Sequence, residues 1–380
     1  MKIGVIKEGR EGETRVALIP ADIKKLVRKG LEVVVEKGAG AAGGYSDADY
    51  EKAGAELGSD SASVAAAVQI LVGVNAPEEN LLRDDLTIIA QFDSLMYPGR
   101  AQKVAGAGAT AYALDLVPRT TRAQAMDVMS SMANLAGYKA VLLAADHLTK
   151  ILPMMTTAAG TIRPSRALIL GAGVAGLQAV ATAKRLGAVV EAFDTRPVVK
   201  EQVESLGGKF VEVPLTEEEK AAAETKGGYA RQMNEDYYRR QREIIHKHAM
   251  KADMVITTAR IFGAKAPVLV TAEMVEDMQP GSVIVDLAVD TGGNCELAVA
   301  GENVVRHGVT IIGMENLATS LPTHASQMYS RNIFEFVTNM LDEESRFRKD
   351  EDDEILAESV LCRGGNLVHK GTLERSGGES

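Results

Sequence analysis

Between Arg166 and Asp194 an apolar run, a glycine-rich turn, a helical pattern and a second apolar run closed by a carboxylate follow one another without interruption. The first run, Ala167-Leu-Ile-Leu170, has the continuous apolar character of a parallel strand buried on both faces. Gly171-Ala-Gly173-Val-Ala-Gly176 follows, then Leu177, Val180, Ala181 and Leu186 at helical spacing, with Gly187 as the stop. Ala188 to Phe193 reads as a second strand, and Asp194 stands about 20 residues beyond the turn, the spacing of a dinucleotide fingerprint. Gly171 permits the tight turn, Gly173 lets the backbone approach a pyrophosphate, and Gly176 lets the helix pack closely on its strand. Val174 opens the helix, whose free N–H groups and positive dipole end suit phosphates. Asp194 accepts hydrogen bonds from ribose hydroxyls and repels a 2′-phosphate, which favours NAD(H). Arg196 works the other way, because an arginine near this strand end can serve a 2′-phosphate. A glycine turn alone also serves plain helix-strand packing; the strand, the helix and the acid together carry the nucleotide reading.

A chain of 380 residues exceeds one ordinary core and points to two domains, and a hydrophobic share of 46% can build both. With 52 Asp and Glu against 42 Lys and Arg and no dense basic run, nucleic acid is excluded as an expected partner. Cys295 and Cys362 lie far apart, supporting neither a disulfide framework nor a metal site, and a reducing cytosol fits best. Met1-Lys-Ile-Gly-Val-Ile enters a strand directly, so no signal peptide is expected. No apolar run is seen to near the roughly 20 residues of a spanning helix, so a membrane role is expected only through a partner.

Ahead of the fingerprint, apolar runs at Ile3–Ile6, Leu31–Val35, Gln69–Val74, Thr87–Ala90 and Thr110–Ala113 alternate with helical patterns, some starting at Pro20 and Ser46. That alternation predicts a doubly wound parallel sheet without its own glycine fingerprint. The segment from Val117 to Tyr138 sets Arg119, Gln124, Asp127, Ser130 and Asn134 among Ala and Met and reads equally as a cleft lining or as a solvated helix face with an Arg119–Asp127 pair. After the fingerprint come a helix over Pro197–Leu206 and a strand over Lys209–Val213. An acidic stretch around Gly227-Gly228-Tyr229 then has the character of a closing lid. Strands at Met254–Thr258, Ser282–Leu287 and Val309–Ile312 resume the sheet, with a helix over Thr271–Met278. A helix over Ala325–Leu341 is placed to pack back on the first domain, and the tail reads as a small hairpin.

Several separated motifs now carry a resemblance. Arg119-x-x-Arg-Ala-Gln124-x-x-Asp127 with Ser130 and Asn-Leu-Ala-Gly-Tyr138, the Gly171–Gly176 turn, Asp194-Thr195-Arg196, Gly227-Gly228-Tyr229, Lys265-Ala-Pro267 and Asn294-Cys295 occur in one order over nearly the whole chain. Together they resemble the NAD(H)-binding component of proton-translocating NAD(P) transhydrogenase. The resemblance implies two Rossmann-like domains separated by a cleft, the first completed by the C-terminal segment: residues 1–130 with 322–380, and 131–321 with a mobile loop over 214–236. It implies hydride transfer between NAD(H) here and NADP(H) on a partner subunit, coupled to proton movement by a membrane-embedded subunit. It further implies a homodimer, cytoplasmic and peripheral on the inner face of the cell membrane through its partners. By motif, Arg119, Gln124, Ala125, Met126, Asp127 and Ser130 would hold the nicotinamide end. Gly171, Gly173, Val174, Gly176, Asp194, Thr195 and Arg196 would hold the adenosine and pyrophosphate, and Gly228, Tyr229 and Gln241 belong to the loop and its return. One departure is Arg260, in Thr257-Thr-Ala-Arg-Ile-Phe-Gly-Ala-Lys265, where the family has an apolar residue near the cofactor.

Two rivals differ in kind. An alanine-dehydrogenase-like deaminase shares Arg15-Val-Ala-Leu-x-Pro20 but needs a lysine where this chain has Gly73 and a histidine in the loop Phe92–Tyr97, which has none. Arg15 is then a candidate ion-pair partner and His147 a structural residue. A noncatalytic NAD-binding protein would need only the fingerprint half, whereas Gln124, Asp127, Ser130 and Tyr229 are also present.

Overall fold

A computed structural model of the chain describes residues 1–214, 235–342, 344, 346–348 and 353–376. The chain divides into two compact units, Met1–Met132 with Ala318–Ser380, and Ala133–Leu317. Both are α/β with doubly wound, largely parallel sheets.

In the first unit β1 (Lys2–Val5), β2 (Glu32–Glu36), β3 (Glu56–Gly58), β4 (Ile70–Asn75), β5 (Thr87–Gln91) and β6 (Thr110–Ala113) are parallel. Their spatial order is β3-β2-β1-β4-β5-β6. Apolar runs such as Ile70–Val72 and Ile88–Ala90 are buried because helices cover a parallel sheet on both faces. Pro20 opens the helix Pro20–Arg28, and Ser46 closes a capping box with Asp49 ahead of Asp47–Ala53. The C-terminal segment adds two antiparallel strands, Val360–Arg363 against β6 and Asn366–Leu367 beyond it. Helix Pro322–Met340 joins the same unit through polar groups. The Tyr329 hydroxyl donates to the carbonyls of Gly73 (3.2 Å) and Val74 (3.1 Å), and Ser330 Oγ donates to Asp22 Oδ2 (2.7 Å). Ser326 and Ser330 accept the backbone N–H groups of Val16 and Ile19.

In the second unit the helix Val128–His147 leads to a hairpin, β7 (Met155–Thr157) and β8 (Gly160–Ile162). Its sheet comprises β9 (Arg166–Leu170), β10 (Val189–Phe193), β11 (Lys209–Val211), β12 (Met254–Thr257), β13 (Val283–Asp286), β14 (Asn303–Arg306) and β15 (Val309–Ile312). The order is β11-β10-β9-β12-β13-β15-β14, parallel except for β14 on the edge. One face is packed by Ala140, Val141, Ala144, Ala179, Val180 and Ala183, the other by Tyr237, Ile245, Met274 and Val275. The strand order reverses between β9 and β12, and in such sheets ligands bind outside the carboxyl ends of the strands at that switch point.

Two expectations change, and one element was not expected at all. The helix over Pro197–Leu206 is a 3-10 turn, Pro197–Val199, followed by the helix Lys200–Ser205. The β7–β8 hairpin, exposed along both strands, has no apolar alternation to announce it. Helix Val128–His147 is, against expectation, long and apolar enough to cross a membrane by length and composition. It carries Lys139 and Asp146, and Ala140, Val141 and Ala144 are buried in the core of the second unit.

Candidate functional site

Gly171 follows β9 with φ +100°, a conformation that favours glycine, and a Cβ there would lie 2.6 Å from Thr258 Oγ1. A Cβ at Gly176 would fall 1.8 Å from the Gly171 carbonyl oxygen, so only glycine lets the helix start this close to the turn. Gly173 differs: among the described residues a Cβ there would meet only Arg196 Nη2, at 4.0 Å, and this side of the turn is open among them. Helix Val174–Arg185 begins at Gly173 with no side-chain cap and no acidic residue in its first turn. Such a helix end suits an anion. Helix Val128–His147 backs the same turn of helix, because a Cβ at Gly137 would come within 2.1 Å of the Ala175 carbonyl.

At the end of β10, Asp194 Oδ2 accepts the Ala172 N–H (2.8 Å) and Oδ1 accepts the Arg196 N–H (2.9 Å). The Arg196 guanidinium spans both oxygens at 2.9 Å each. Burial alone would raise the Asp194 carboxyl; the Arg196 side chain and the two backbone N–H groups outweigh it and hold the group below its ordinary value. Thr195 is exposed beside them.

The neighbouring carboxyl ends of β12 and β13 carry a second set of bonds. Thr258 Oγ1 donates to the Gly171 carbonyl (3.0 Å), and Asn294, fully buried, holds Ala259 by its N–H and its C=O. Arg260 is exposed, donates to the Leu287 carbonyl (3.1 Å) and pairs with Asp290. Gln241 is buried on helix Glu235–Ala249, and among the described residues its Oε1 has no hydrogen-bond partner. Cys295 is buried and its thiol is pushed up to about 12, first by desolvation, which makes it unreactive. Gly228 and Tyr229 lie outside the described residues.

In the first unit, Gln124–Met126 form a 3-10 turn with Gln124 and Ala125 exposed and Met126 buried. The turn is anchored twice: Asn332 Nδ2 donates to the Ala125 carbonyl (2.7 Å), and Arg122 pairs with the buried Asp353 at 2.7 Å. Asp127 caps helix Val128–His147, accepting the Ser130 N–H on Oδ1 (2.8 Å) and the Ser130 hydroxyl on Oδ2 (2.6 Å). Asp127 and Ser130 are thus brought together. Arg119 is exposed, and no ion pair joins it to Asp127 among the described residues. Arg15 makes a buried bidentate pair with Glu13, and His147 Nδ1 lies 3.0 Å from the Leu143 carbonyl at its helix end.

Sequence reading missed Thr258 and Asp286 and assigned Asn294 no task. Their partners lie 87, 29 and 35 residues away, respectively, and no local spacing signals such bonds.

Both units match one family. The N-terminal domain of alanine dehydrogenase/PNT matches residues 4–136 and the C-terminal domain residues 140–370. An NAD(P) transhydrogenase alpha-subunit chain of Rhodospirillum rubrum is 44% identical over 97% of this chain and 98% of its own length. Alanine dehydrogenase of Bacillus subtilis is 30% identical over 85% of this chain and 81% of its own. The crystal structure of transhydrogenase from Sinorhizobium meliloti superposes with a TM-score of 0.84 at 41% identity, covering 97% of this chain and 99% of that one. An L-alanine dehydrogenase structure gives 0.82 at 26% identity, with 100% of both chains covered. The chain belongs to the alanine dehydrogenase/PNT family, and among these relatives it is more alike to the transhydrogenase alpha subunits than to the alanine dehydrogenases.

Proposed function

We propose that this chain is the NAD(H)-binding component of a proton-translocating transhydrogenase. In this reading NADH held here reduces NADP+ held on a separate partner subunit, and a membrane-embedded partner couples the transfer to proton movement. The observation that carries the reading is a complete fingerprint, open at Gly173 and ending on Asp194, on a chain that lacks the deaminase acid–base pair. A Cβ at Gly73 would lie 2.8 Å from the Asn75 carbonyl oxygen, so the strand has no room for a lysine there, and Phe92–Tyr97 carries no histidine.

The donor set fits a dinucleotide. Gly171, Gly173, Val174 and Gly176 present the uncapped helix start to a pyrophosphate, while Asp194, Thr195 and Arg196 take the adenosine ribose. Gln124, Ala125, Met126 and Asp127, with Arg119 and Ser130, are assigned the nicotinamide end; Gly228, Tyr229, Gln241 and Arg260 are assigned to its surroundings. The dinucleotide supplies a hydride that passes directly between two nicotinamide rings. What the chain contributes is proximity and orientation, with no nucleophile and no proton shuttle. The Asp127–Ser130 bonds fit that task, since they fix the turn that displays the Gln124 amide. The resemblance supports a homodimer held at the cytoplasmic face of the membrane by its partners.

The test is stopped-flow hydride transfer from NADH to an NADP analogue, with this chain mixed with a soluble NADP-binding transhydrogenase component. Rapid transfer that requires both proteins is expected. NADH binding without transfer would overturn the proposal, and reduction of NAD by an amino acid would replace it with the deaminase.

A further inference from the structure

We infer that Thr258 and Asn294 are positioning residues for the dinucleotide turn, holding Gly171–Gly176 in the form that receives a pyrophosphate; the inference rests on the NAD(H) reading above. The two residues belong to an unbroken series of hydrogen bonds running from the end of β13 to the fingerprint. Asp286, fully buried at the end of β13, accepts on Oδ1 from the Thr257 hydroxyl (3.0 Å) and the Ala288 N–H (2.9 Å). On Oδ2 it accepts from the backbone N–H of Asn294 (2.7 Å) and Cys295 (2.9 Å). Asp286 therefore sets the course of the chain at Asn294.

Asn294 then commits its whole amide to the next loop. Its Oδ1 accepts the Ala259 N–H (2.9 Å), and its Nδ2 donates to the carbonyls of Ala259 (2.8 Å) and Pro267 (2.8 Å). Only an amide fits this arrangement: a carboxylate would set a second oxygen against two carbonyl oxygens. With Ala259 gripped on both sides, Thr258 is fixed as well. Its N–H donates to the Leu170 carbonyl (2.8 Å) and its hydroxyl to the Gly171 carbonyl (3.0 Å).

The Gly171 carbonyl is the pivot of the turn. It is the atom that a Cβ at Gly176 would strike, so it abuts the first turn of the fingerprint helix. Glycine at φ +100° has little steric preference of its own, and a peptide next to it rotates readily unless something holds it. Thr258 supplies the hold. The pinned atom lies beyond the last strand residue of β9, on the ligand edge of the sheet, and the ladder of β9 with β10 and β12 is complete without it.

A purely structural role would show as lost stability, a positioning role as lost affinity for the pyrophosphate. The full chain is compared with Thr258→Val, which keeps the side-chain shape and removes the hydroxyl, and with Thr258→Ser, which restores it. NADH is titrated by its own fluorescence, with no tryptophan in the chain to interfere, and displaced by ADP-ribose or by adenosine, which lacks the pyrophosphate. Thr258→Val is expected to bind NADH and ADP-ribose about fivefold more weakly, the worth of one hydrogen bond, with adenosine within about twofold. Thr258→Ser is expected to recover NADH affinity, and the melting temperature is expected to hold in both. Asn294→Asp is expected to lose at least as much affinity; should it fail to fold, the threonine pair decides. Unchanged NADH affinity in Thr258→Val would overturn the inference. So would equal weakening for ADP-ribose and adenosine with a lowered melting temperature. Absence of NADH binding by the unaltered chain would overturn this inference and the proposed function together, whereas binding without hydride transfer would overturn the proposed function alone.

Discussion

A carboxylate offers about four lone-pair positions, and at Asp194 all four are in use: two by backbone N–H groups and two by the Arg196 guanidinium. Ribose hydroxyls reaching Asp194 must compete with these donors. The backbone pair cannot leave without opening the turn, but the Arg196 side chain is 36% exposed and can rotate away. Arg196 also neutralises the charge that would exclude a 2′-phosphate, so it tempers the preference Asp194 alone would impose. Arg196→Ala is therefore expected to weaken NADPH binding about tenfold while NADH stays within about threefold, read by parallel titrations at fixed salt. Equal changes for the two nucleotides would contradict this account. The glycines and Asp194 were legible in the sequence because their spacing is encoded within one strand-turn-helix-strand unit. Thr258 and Asn294 were not, because each acts on a backbone group that only the sheet order brings near.

Helix Pro322–Met340 shows how an element can be legible in outline and not in its attachment. Its apolar face, with Ile333, Phe336, Val337 and Met340 buried, follows from helical periodicity. The polar side chains that fasten it, Ser326, Tyr329 and Ser330, continue the same buried face toward the helix start, but their spacing gives no sign of the distant backbone groups they bind. Tyr329→Phe removes the donor shared by the Gly73 and Val74 carbonyls and is expected to cost about 1–3 kcal/mol, measured by denaturant unfolding. A loss under about 0.5 kcal/mol would mean that water satisfies those carbonyls. Elements with strong local signals, such as the helices opened by Pro20, Ser46 and Thr271, begin where sequence placed them. The short edge strand β3 and the β7–β8 hairpin carry too little buried apolar surface to leave a pattern, and were missed.

At the scale of the molecule, the two units are unequal in how the chain builds them. Every strand of the second sheet lies within Ala133–Leu317, whereas the first sheet draws on both ends of the sequence. A fragment of residues 128–317, keeping helix Val128–His147 whole, is expected to fold and melt cooperatively by circular dichroism. Residues 1–132 alone would lack the strand that covers β6 and the helix that seats Tyr329, and are expected to melt without cooperativity or to aggregate through the bare edge. Cooperative melting of the shorter fragment would show that the C-terminal segment is dispensable to that sheet.

The return of the chain to β6 also sets an order of events during synthesis. The second unit has all its strands once Leu317 has left the ribosome, while the first must wait for Val360–Arg363. The region of the protein made first is therefore finished last, and until then its half-built sheet presents an open edge to whatever else is in the cell.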